Sequence, residues 1–466
     1  MMLQTEPVAV RLEDARGPLT HAQSEKILAD LRRKSPDTGL FERHIAIEEA
    51  LAANRLTVGN KVTLLQDGQA TYPAMLAVIR SAKHHVHMET YIFDDDETGR
   101  TFAAALVERA KAGVKVRLIY DAIGSNKTPR EFFERMAAGG VEVREFNPAS
   151  PDRLLLLNQR DHRKLTLVDG HVAFVGGINI SGVYLRSRTG STSGSSGGSH
   201  GAAEAKQDPF DQQPWRDTQV RIEGPVVADL QDSFLKQWAR LKNEPVITDK
   251  AYYPQLKPAG AELVRAIAGS PSSEKGVNEA YVALILAIDR AERSVHITNA
   301  YFVPHPELVK ALERAARRGV DVKLVLPGRT DSWLAFNAGR SFYEDLLEDG
   351  VKIFERKTRL LHSKTATIDG VWSTVGSTNL DWRSLVYNDE LNAVVLGREG
   401  VILLFATLKT SRGDLTGAVG IESVRAVVER RYSSQDHAPL RFQLPLGRGR
   451  QVGRNGRRSL SADPAR

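Results

Sequence analysis

The stretch DHRKLTLVDG at residues 161–170 is repeated later as LHSKTATIDG at residues 361–370, and both follow the pattern His-x-Lys-x-x-x-x-Asp-Gly. Each copy is a short run of apolar and β-branched residues that ends in Asp-Gly, a pair typical of a tight turn between two strands. Alternate side chains of a strand face the same side, so the His and the Lys of each copy are expected to lie next to each other. The sequence therefore predicts two similar clusters of polar side chains.

Other segments are repeated in the same order as these motifs. HHVHMETYIF at 84–93 corresponds to RSVHITNAYF at 293–302, and LVERAKAGVKVRLIYD at 106–121 corresponds to LERAARRGVDVKLVLP at 312–327. Several matching segments in one order indicate that a single unit has been duplicated. Because strand-like runs alternate with helix-like runs in both copies, each copy is predicted to be α/β.

The chain is predicted to have four parts. Residues 1–58 are polar and have a helical pattern. The first copy occupies 59–247 and contains a loop at 189–201 that is almost entirely Gly and Ser, a composition typical of flexible linkers. The second copy occupies 248–405. Residues 406–466 form a divergent tail whose Arg- and Gly-rich end we expect to be disordered.

Composition narrows the possible chemistry. The chain has 466 residues and no Cys, which excludes disulfides, thiolate nucleophiles and Cys-ligated zinc. Its net charge of +7 favours an anionic partner, whether nucleic acid, an acidic membrane surface or a substrate that carries phosphate. No run approaches the roughly 18 apolar residues of a transmembrane helix, and the N-terminus does not resemble a secretory signal.

Each motif is followed by an Asn 17 residues after its His, so each copy offers the same three polar side chains. Lys and Asn supply a positive charge and an amide donor, which suit phosphate oxygens, and His can act as a nucleophile or a proton donor. In-line displacement at a phosphodiester requires an attacking group on one face and an acid on the opposite face. Two sets related by a pseudo-two-fold axis can supply both. The sets are His162, Lys164 and Asn179, and His362, Lys364 and Asn379.

These paired motifs, each followed by Gly-(Gly/Ser)-x-Asn, resemble the phospholipase D superfamily over roughly residues 60–396. WRDTQVRIEGP at 215–225 and STVGSTNLDWRSLVYNDELN at 373–392 are most similar to bacterial cardiolipin synthases. The resemblance implies an α/β fold of two tandem phospholipase D-like domains. Each would be a mixed β-sheet flanked by helices, and the active site would lie between the two. It also implies a phosphatidyltransferase that makes cardiolipin from phosphatidylglycerol and a second phospholipid.

The roles of the site residues follow from the resemblance. His162 is expected to attack phosphorus and form a phosphohistidine, and His362 is expected to act first as an acid and then as a base. The side chains expected to hold the phosphoryl oxygens are Lys164, Lys364, Asn179 and Asn379. No metal or other cofactor is expected, because the two lysines already neutralise the charge.

Four carboxylates complete the expected site. Asp217 is expected to orient the His of the first half, and Glu390 that of the second half. Asp169 and Asp369 belong to the catalytic motifs of the superfamily. An Asp-Gly turn alone explains them, however, and we favour a structural or electrostatic role over direct chemistry.

The expected partners are phospholipid substrates and an anionic membrane surface, on the cytoplasmic side of the bacterial inner membrane. Binding is expected to be peripheral and aided by the arginines of 448–458. No nucleic acid is expected, and the oligomeric state stays open. A phospholipase D-type hydrolase and, with less support, a metal-independent nuclease remain alternatives. A non-catalytic scaffold is disfavoured because both polar sets are intact.

Overall fold

The structure is a computed structural model that describes residues 12–34, 40, 44–45, 56–148, 158–185, 213–270, 278–397 and 419. The Gly/Ser-rich loop expected at 189–201 lies outside these residues, as does the tail expected at 406–466 except for Val419.

Within those ranges the strands, in chain order, are β1 (Glu13–Asp14), β2 (Gly17–Pro18), β3 (Thr57–Gln66), β4 (His85–Thr90), β5 (Lys115–Asp121), β6 (Glu142–Phe146), β7 (Arg160–Asp161), β8 (Leu165–Val168), β9 (Val172–Gly176), β10 (Thr218–Glu223), β11 (Glu262–Gly269), β12 (Ser294–Asn299), β13 (Phe302–Val303), β14 (Asp321–Pro327), β15 (Lys352–Arg356), β16 (Lys364–Ile368), β17 (Trp372–Gly376), β18 (Leu380–Asp381) and β19 (Asn388–Leu396). The α-helices in the same ranges are α1 (His21–Lys34), α2 (Asp67–Ser81), α3 (Glu97–Lys111), α4 (Arg130–Ala138), α5 (Val227–Arg240), α6 (Glu279–Asp289), α7 (Pro306–Arg317), α8 (Trp333–Arg340), α9 (Tyr343–Glu348) and α10 (Trp382–Val386).

Each half of the chain builds a mixed sheet with the same strand order. In the first half, neighbouring strands follow the order β3-β10-β9-β8-β4-β5-β6. In the second half, the order is β11-β19-β17-β16-β12-β14-β15. In both sheets the last two pairings are parallel and the others are antiparallel. The duplication predicted from the sequence therefore appears as two sheets of matching topology.

Strand pairing joins the two halves directly. The equivalent strands β3 and β11 pair antiparallel with each other, which makes one continuous sheet of the two. The short strand β7 of the first half lies parallel to β19 of the second, with Asp161 opposite Asp389. A matching bridge joins Arg216 of the first half to Leu361 of the second. Each motif therefore begins against backbone of the opposite half.

Apolar side chains pack between the halves as well as beneath the helices of each. One buried cluster contains Leu165 and Leu167 of the first motif strand, Phe234 of α5, and Val375 and Ala393 of the second sheet. Burying each large apolar side chain contributes roughly 1.5–3 kcal/mol, so this shared core holds the two halves in a fixed arrangement. Separate clusters fill the space under the remaining helices of each half.

Local signals set the helix ends. α7 begins with Pro306 at its first turn, and the ring of His305 accepts the backbone N–H of Glu307 at 3.1 Å. Gly319 and its counterpart Gly113 follow the ends of α7 and α3, both with φ near +87°, a conformation that favours glycine.

In the described part of the chain, no helix combines the length and the apolar composition needed to cross a bilayer.

Candidate active site

The two motif histidines lie just before their strands rather than on them. β8 and β16 begin three and two residues after His162 and His362, respectively, so the expected placement on the strand was slightly wrong. The backbone N–H of His162 donates to the carbonyl of Asp389 at 2.9 Å, and that of His362 donates to the carbonyl of Arg216 at 2.8 Å. Each histidine is thus held by backbone of the other half.

Each histidine ring is paired with a carboxylate of the opposite half. Nδ1 of His162 lies 3.1 Å from both oxygens of Glu390, and Nδ1 of His362 lies 2.7 Å from Oδ2 of Asp217. The expected pairing of each carboxylate with the histidine of its own half is therefore wrong. The cross-half contacts of β7 with β19, and of Arg216 with Leu361, explain the exchange. A carboxylate only accepts, so Nδ1–H donates and Nε2 carries the lone pair.

The two carboxylates are supported differently. The Ser377 hydroxyl donates to Glu390 at 2.5 Å, and the Asn388 amide donates to it at 3.3 Å. Burial raises the pKa of Glu390 to about 7. Gly177 stands at the position equivalent to Ser377, and a Cβ there would lie 2.3 Å from Oδ1 of Asp217. A side chain at 177 would therefore displace the carboxylate that holds His362.

The two lysines are buried and lie close enough to affect the same groups. Nζ of Lys164 donates to the carbonyl of His162 at 2.5 Å, and Nζ of Lys364 donates to the carbonyl of His362. Burial lowers the pKa of Lys164 to about 7 and that of Lys364 to about 8. Burial, followed by the charges of both lysines, holds the pKa of His162 well below its usual range. The two polar sets therefore form one site.

The two asparagines have different surroundings. Oδ1 of Asn179 accepts the backbone N–H of Ile92 at 3.1 Å, and its Nδ2 donates to the Tyr184 hydroxyl at 3.0 Å. Oδ1 of Asn379 is buried and has no hydrogen-bond partner among the described residues. Asn179 is thus engaged in the scaffold, while Asn379 retains an unused amide oxygen.

Asp169 and Asp369 lie at the far ends of the motif strands and are not brought to the histidines. Both have positive φ, 53° and 55°, and each is followed by a glycine with positive φ. Each carboxylate accepts three consecutive backbone N–H groups at the start of a central strand. For Asp169 the donors are Lys83, His84 and His85, and for Asp369 they are Glu292, Arg293 and Ser294. These contacts fix the turns and the neighbouring strands, in line with the structural role favoured above.

Aromatic residues that the sequence analysis did not single out also line the site. The Tyr184 hydroxyl lies 3.2 Å from Nδ1 of His362, and the Trp215 ring centroid lies 5.5 Å from that of His362. The Tyr91 ring lies 5.1 Å from that of His162. Ser384 follows Asn379 by the same five residues by which Tyr184 follows Asn179. Because the two residue types differ, comparison of the repeats did not reveal Tyr184.

Among the residues that the structure describes, no group of three or more His, Asp or Glu side chains is arranged to hold a metal ion.

Known proteins are similar to both halves of this chain. The family described as cardiolipin synthase, PLD-like domain, matches residues 75–189 and 284–405. A cardiolipin synthase of Geobacillus kaustophilus is 36% identical over 341 residues, which is 72% of this chain and 63% of that protein. A probable cardiolipin synthase of Bacillus subtilis is 31% identical over 366 residues, which is 78% of this chain and 68% of that protein.

The fold has a solved counterpart as well. The crystal structure of phosphatidylserine synthase from Haemophilus influenzae matches 83% of this chain and 96% of its own, with a TM-score of 0.59 at 12% identity. This similarity supports the α/β fold with tandem domains. The chain spans less than two thirds of the Geobacillus relative.

Proposed function

Because the chain belongs to the family of cardiolipin synthases with PLD-like domains, we propose that it is a phosphatidyltransferase. In the proposed reaction, cardiolipin forms from phosphatidylglycerol and a second phospholipid by transfer of a phosphatidyl group to a hydroxyl of a glycerol headgroup, and the small alcohol of the donor lipid is released. The observation that carries the proposal is the pair of crossed contacts, His162 with Glu390 and His362 with Asp217. Because each Nδ1–H donates to a carboxylate, Nε2 of both histidines is available for chemistry at phosphorus. The same site also contains two lysines.

The proposed chemistry has two steps at one phosphorus atom. In the first, Nε2 of His162 attacks, a P–N bond forms, and the P–O bond to the leaving alcohol breaks as protonated His362 gives that oxygen its proton. In the second, the acceptor hydroxyl gives its proton to His362 and attacks phosphorus. A P–O bond then forms and the P–N bond breaks. Glu390 and Asp217 stabilise whichever ring carries positive charge.

The lysines are proposed to bind the phosphoryl oxygens. Lys164 and Lys364 donate to the carbonyls of the motif histidines. A bound phosphate would offer a charged acceptor in place of those neutral carbonyls, and charge-assisted hydrogen bonds are roughly twice as strong. We place Asn379 in the same role through its Nδ2–H donors, since a phosphoryl oxygen only accepts. Asn179 would contribute by fixing Tyr184, because both ends of its amide are already occupied.

The protein is further proposed to meet its substrates peripherally, at an anionic membrane surface on the cytoplasmic side of the bacterial inner membrane. The net charge of +7 favours such a surface.

Lipid analysis tests the proposed reaction. Purified protein is incubated with vesicles of phosphatidylglycerol, alone or with phosphatidylethanolamine, and the products are separated. Cardiolipin together with free glycerol is the expected result. Phosphatidic acid without cardiolipin would instead identify a hydrolase, in which water replaces the acceptor alcohol. The control is His162→Ala, which should yield neither product.

A further inference from the structure

We infer that the surface beside His362 is a membrane-docking rim, formed by Trp333, Leu334, Trp382 and Tyr387, that enters the interface of a lipid bilayer. This inference rests on the proposed function, which places the substrate in a membrane, and it goes further by naming the face that meets the lipid.

The apolar rim is unusually exposed. Trp333 is 71% and Leu334 67% accessible, and Trp382 and Tyr387 are 41% and 42% accessible. Most large apolar side chains in the described part of the chain are buried, so four exposed ones on connected elements form a distinctive surface. Trp and Tyr favour the boundary between lipid and water, because their rings are apolar while each keeps one polar group.

Contacts connect the rim to the active site. The Tyr301 ring centroid lies 6.5 Å from that of His362, and the Tyr301 hydroxyl donates to Asp331 at 2.5 Å. Asp331 precedes Trp333 by two residues, which is at most about 7 Å of backbone. The first exposed side chains of α8 therefore lie a short distance beyond the ring that contacts His362.

The two helices of the rim are held on a common support. β13 pairs with β18, which leads directly into α10 and Trp382. A Cβ on Gly339 of α8 would lie 2.3 Å from the carbonyl of Phe302 in β13, so α8 lies directly against that strand. The His305 ring, just after β13, lies 4.7 Å from Trp382. α8 and α10 are thus neighbours around one strand pair.

The charge beside the rim suits an anionic lipid headgroup. Arg383 is exposed next to Trp382, and its charge acts on the neighbouring carboxyl of Asp381. Burial raises the pKa of Tyr91 and Arg383 opposes that rise, which places the guanidinium within electrostatic reach of the first half of the site. Arg383 therefore supplies an exposed cation beside the rim.

Vesicle binding by the full chain tests the inference. Co-sedimentation is measured with vesicles of phosphatidylglycerol and with vesicles of phosphatidylcholine. The double variant Trp333→Ser/Leu334→Ser should bind both kinds at least about tenfold more weakly, because two large apolar side chains no longer leave water. Arg383→Gln should weaken binding only to phosphatidylglycerol, and high salt should remove this difference. Val246→Ser is the matched control, since Val246 is 39% exposed but lies outside the rim.

Unchanged far-UV circular dichroism and thermal unfolding establish that the variants fold. The inference would be overturned if the double variant bound vesicles as strongly as the wild type does. It would also be overturned if Val246→Ser lost as much vesicle binding as the double variant. A change in oligomeric state with unchanged vesicle binding would also overturn it, because the rim would then be a contact between copies. If the wild type binds vesicles through the rim but forms no transferase product, the proposed function fails and the docking surface stands. If cardiolipin forms while binding does not depend on the rim, the docking surface fails and the proposed function stands.

Discussion

At the scale of single residues, the crossed histidine–carboxylate pairs give a specific prediction. Asp217→Asn should leave His362 without a partner for its imidazolium form, and Glu390→Gln should do the same for His162. General acid–base catalysis contributes typically about 10²–10⁴-fold, so each change should lower kcat by at least about a hundredfold. Steady-state kinetics on dispersed phosphatidylglycerol measures the loss.

A double-mutant comparison identifies which pairs are coupled. Adding Glu390→Gln to His162→Ala should cost little more than His162→Ala alone, because both act on one ring. Coupling of Glu390 to His362 instead would contradict the crossed geometry. Thermal unfolding of each variant separates a catalytic effect from a loss of fold.

The buried lysines predict an alkaline limit to activity. Burial lowers the pKa of Lys164 to about 7 and that of Lys364 to about 8, while Glu390 and Asp217 act in the opposite direction. A lysine carries its charge below its pKa, so phosphate binding should weaken as pH rises through about 7 to 8. A profile of kcat/KM against pH should therefore fall on its alkaline side in that range.

Arginine provides the control for this limit, because it stays charged at any pH used. Lys164→Arg should move the alkaline limb to higher pH, even if its maximal rate is lower. A limb that stays near 7 to 8 when both lysines are replaced by arginine would show that another group titrates there.

The repeated motifs alone were enough to locate both histidines and both lysines in the sequence. The carboxylates Asp217 and Glu390 were also found, but their pairing was predicted within each half. Pairing depends on β7 lying along β19, a contact between segments more than 200 residues apart. No local pattern encodes it. Tyr184 was not predicted because its counterpart in the second half is Ser384.

At the scale of elements, the Asp-Gly turns are predicted to hold the fold rather than perform chemistry. Asp169→Ala removes the acceptor for three backbone N–H groups and places a less suitable residue at positive φ. Two of the three hydrogen bonds are exposed and the third is part-buried, so water replaces much of the lost bonding and we expect roughly 1–3 kcal/mol of lost stability, about the cost of one unsatisfied donor. Chemical denaturation measures this change.

Asn is the matched control at this position, since it tolerates positive φ and keeps one oxygen acceptor. Asp169→Asn should lose about half as much stability as Asp169→Ala, and the folded fraction of both should retain near-normal kcat. If the Asp169→Asn protein folded but had no activity, the Asp169 carboxylate would have a direct catalytic role and this prediction would be wrong.

Element prediction succeeded where several signals coincided. The ends of α3 and α7 followed from Gly113 and Gly319, and both motif hairpins followed from Asp-Gly. The strands β1 and β2 were not predicted because two residues give no periodicity, and they are held by pairing with each other and with β3.

At the scale of the whole molecule, the basic C-terminal region is predicted to strengthen binding to anionic membranes. Each basic residue near such a surface contributes about 1 kcal/mol, and salt screens it. Deleting residues 440–466 should weaken binding to phosphatidylglycerol vesicles more than it slows turnover on detergent-dispersed lipid. Salt titration of vesicle co-sedimentation measures the first effect. Equal binding of the intact chain to neutral and anionic vesicles would contradict the electrostatic contribution.

The two sheets of matching topology place one polar set from each half in a shared site, and the central claim is that these sets divide the chemistry at one phosphorus atom. Rapid acid-free quenching of the His362→Ala protein with phosphorus-labelled phosphatidylglycerol, followed by peptide mapping, tests this claim most directly. The account predicts label on His162: loss of the acid slows departure of the alcohol but leaves the nucleophile intact, and loss of the base slows the second step, which would consume the phosphohistidine. No label on His162, together with label on His362 in the reciprocal His162→Ala protein, would contradict the proposed division of roles.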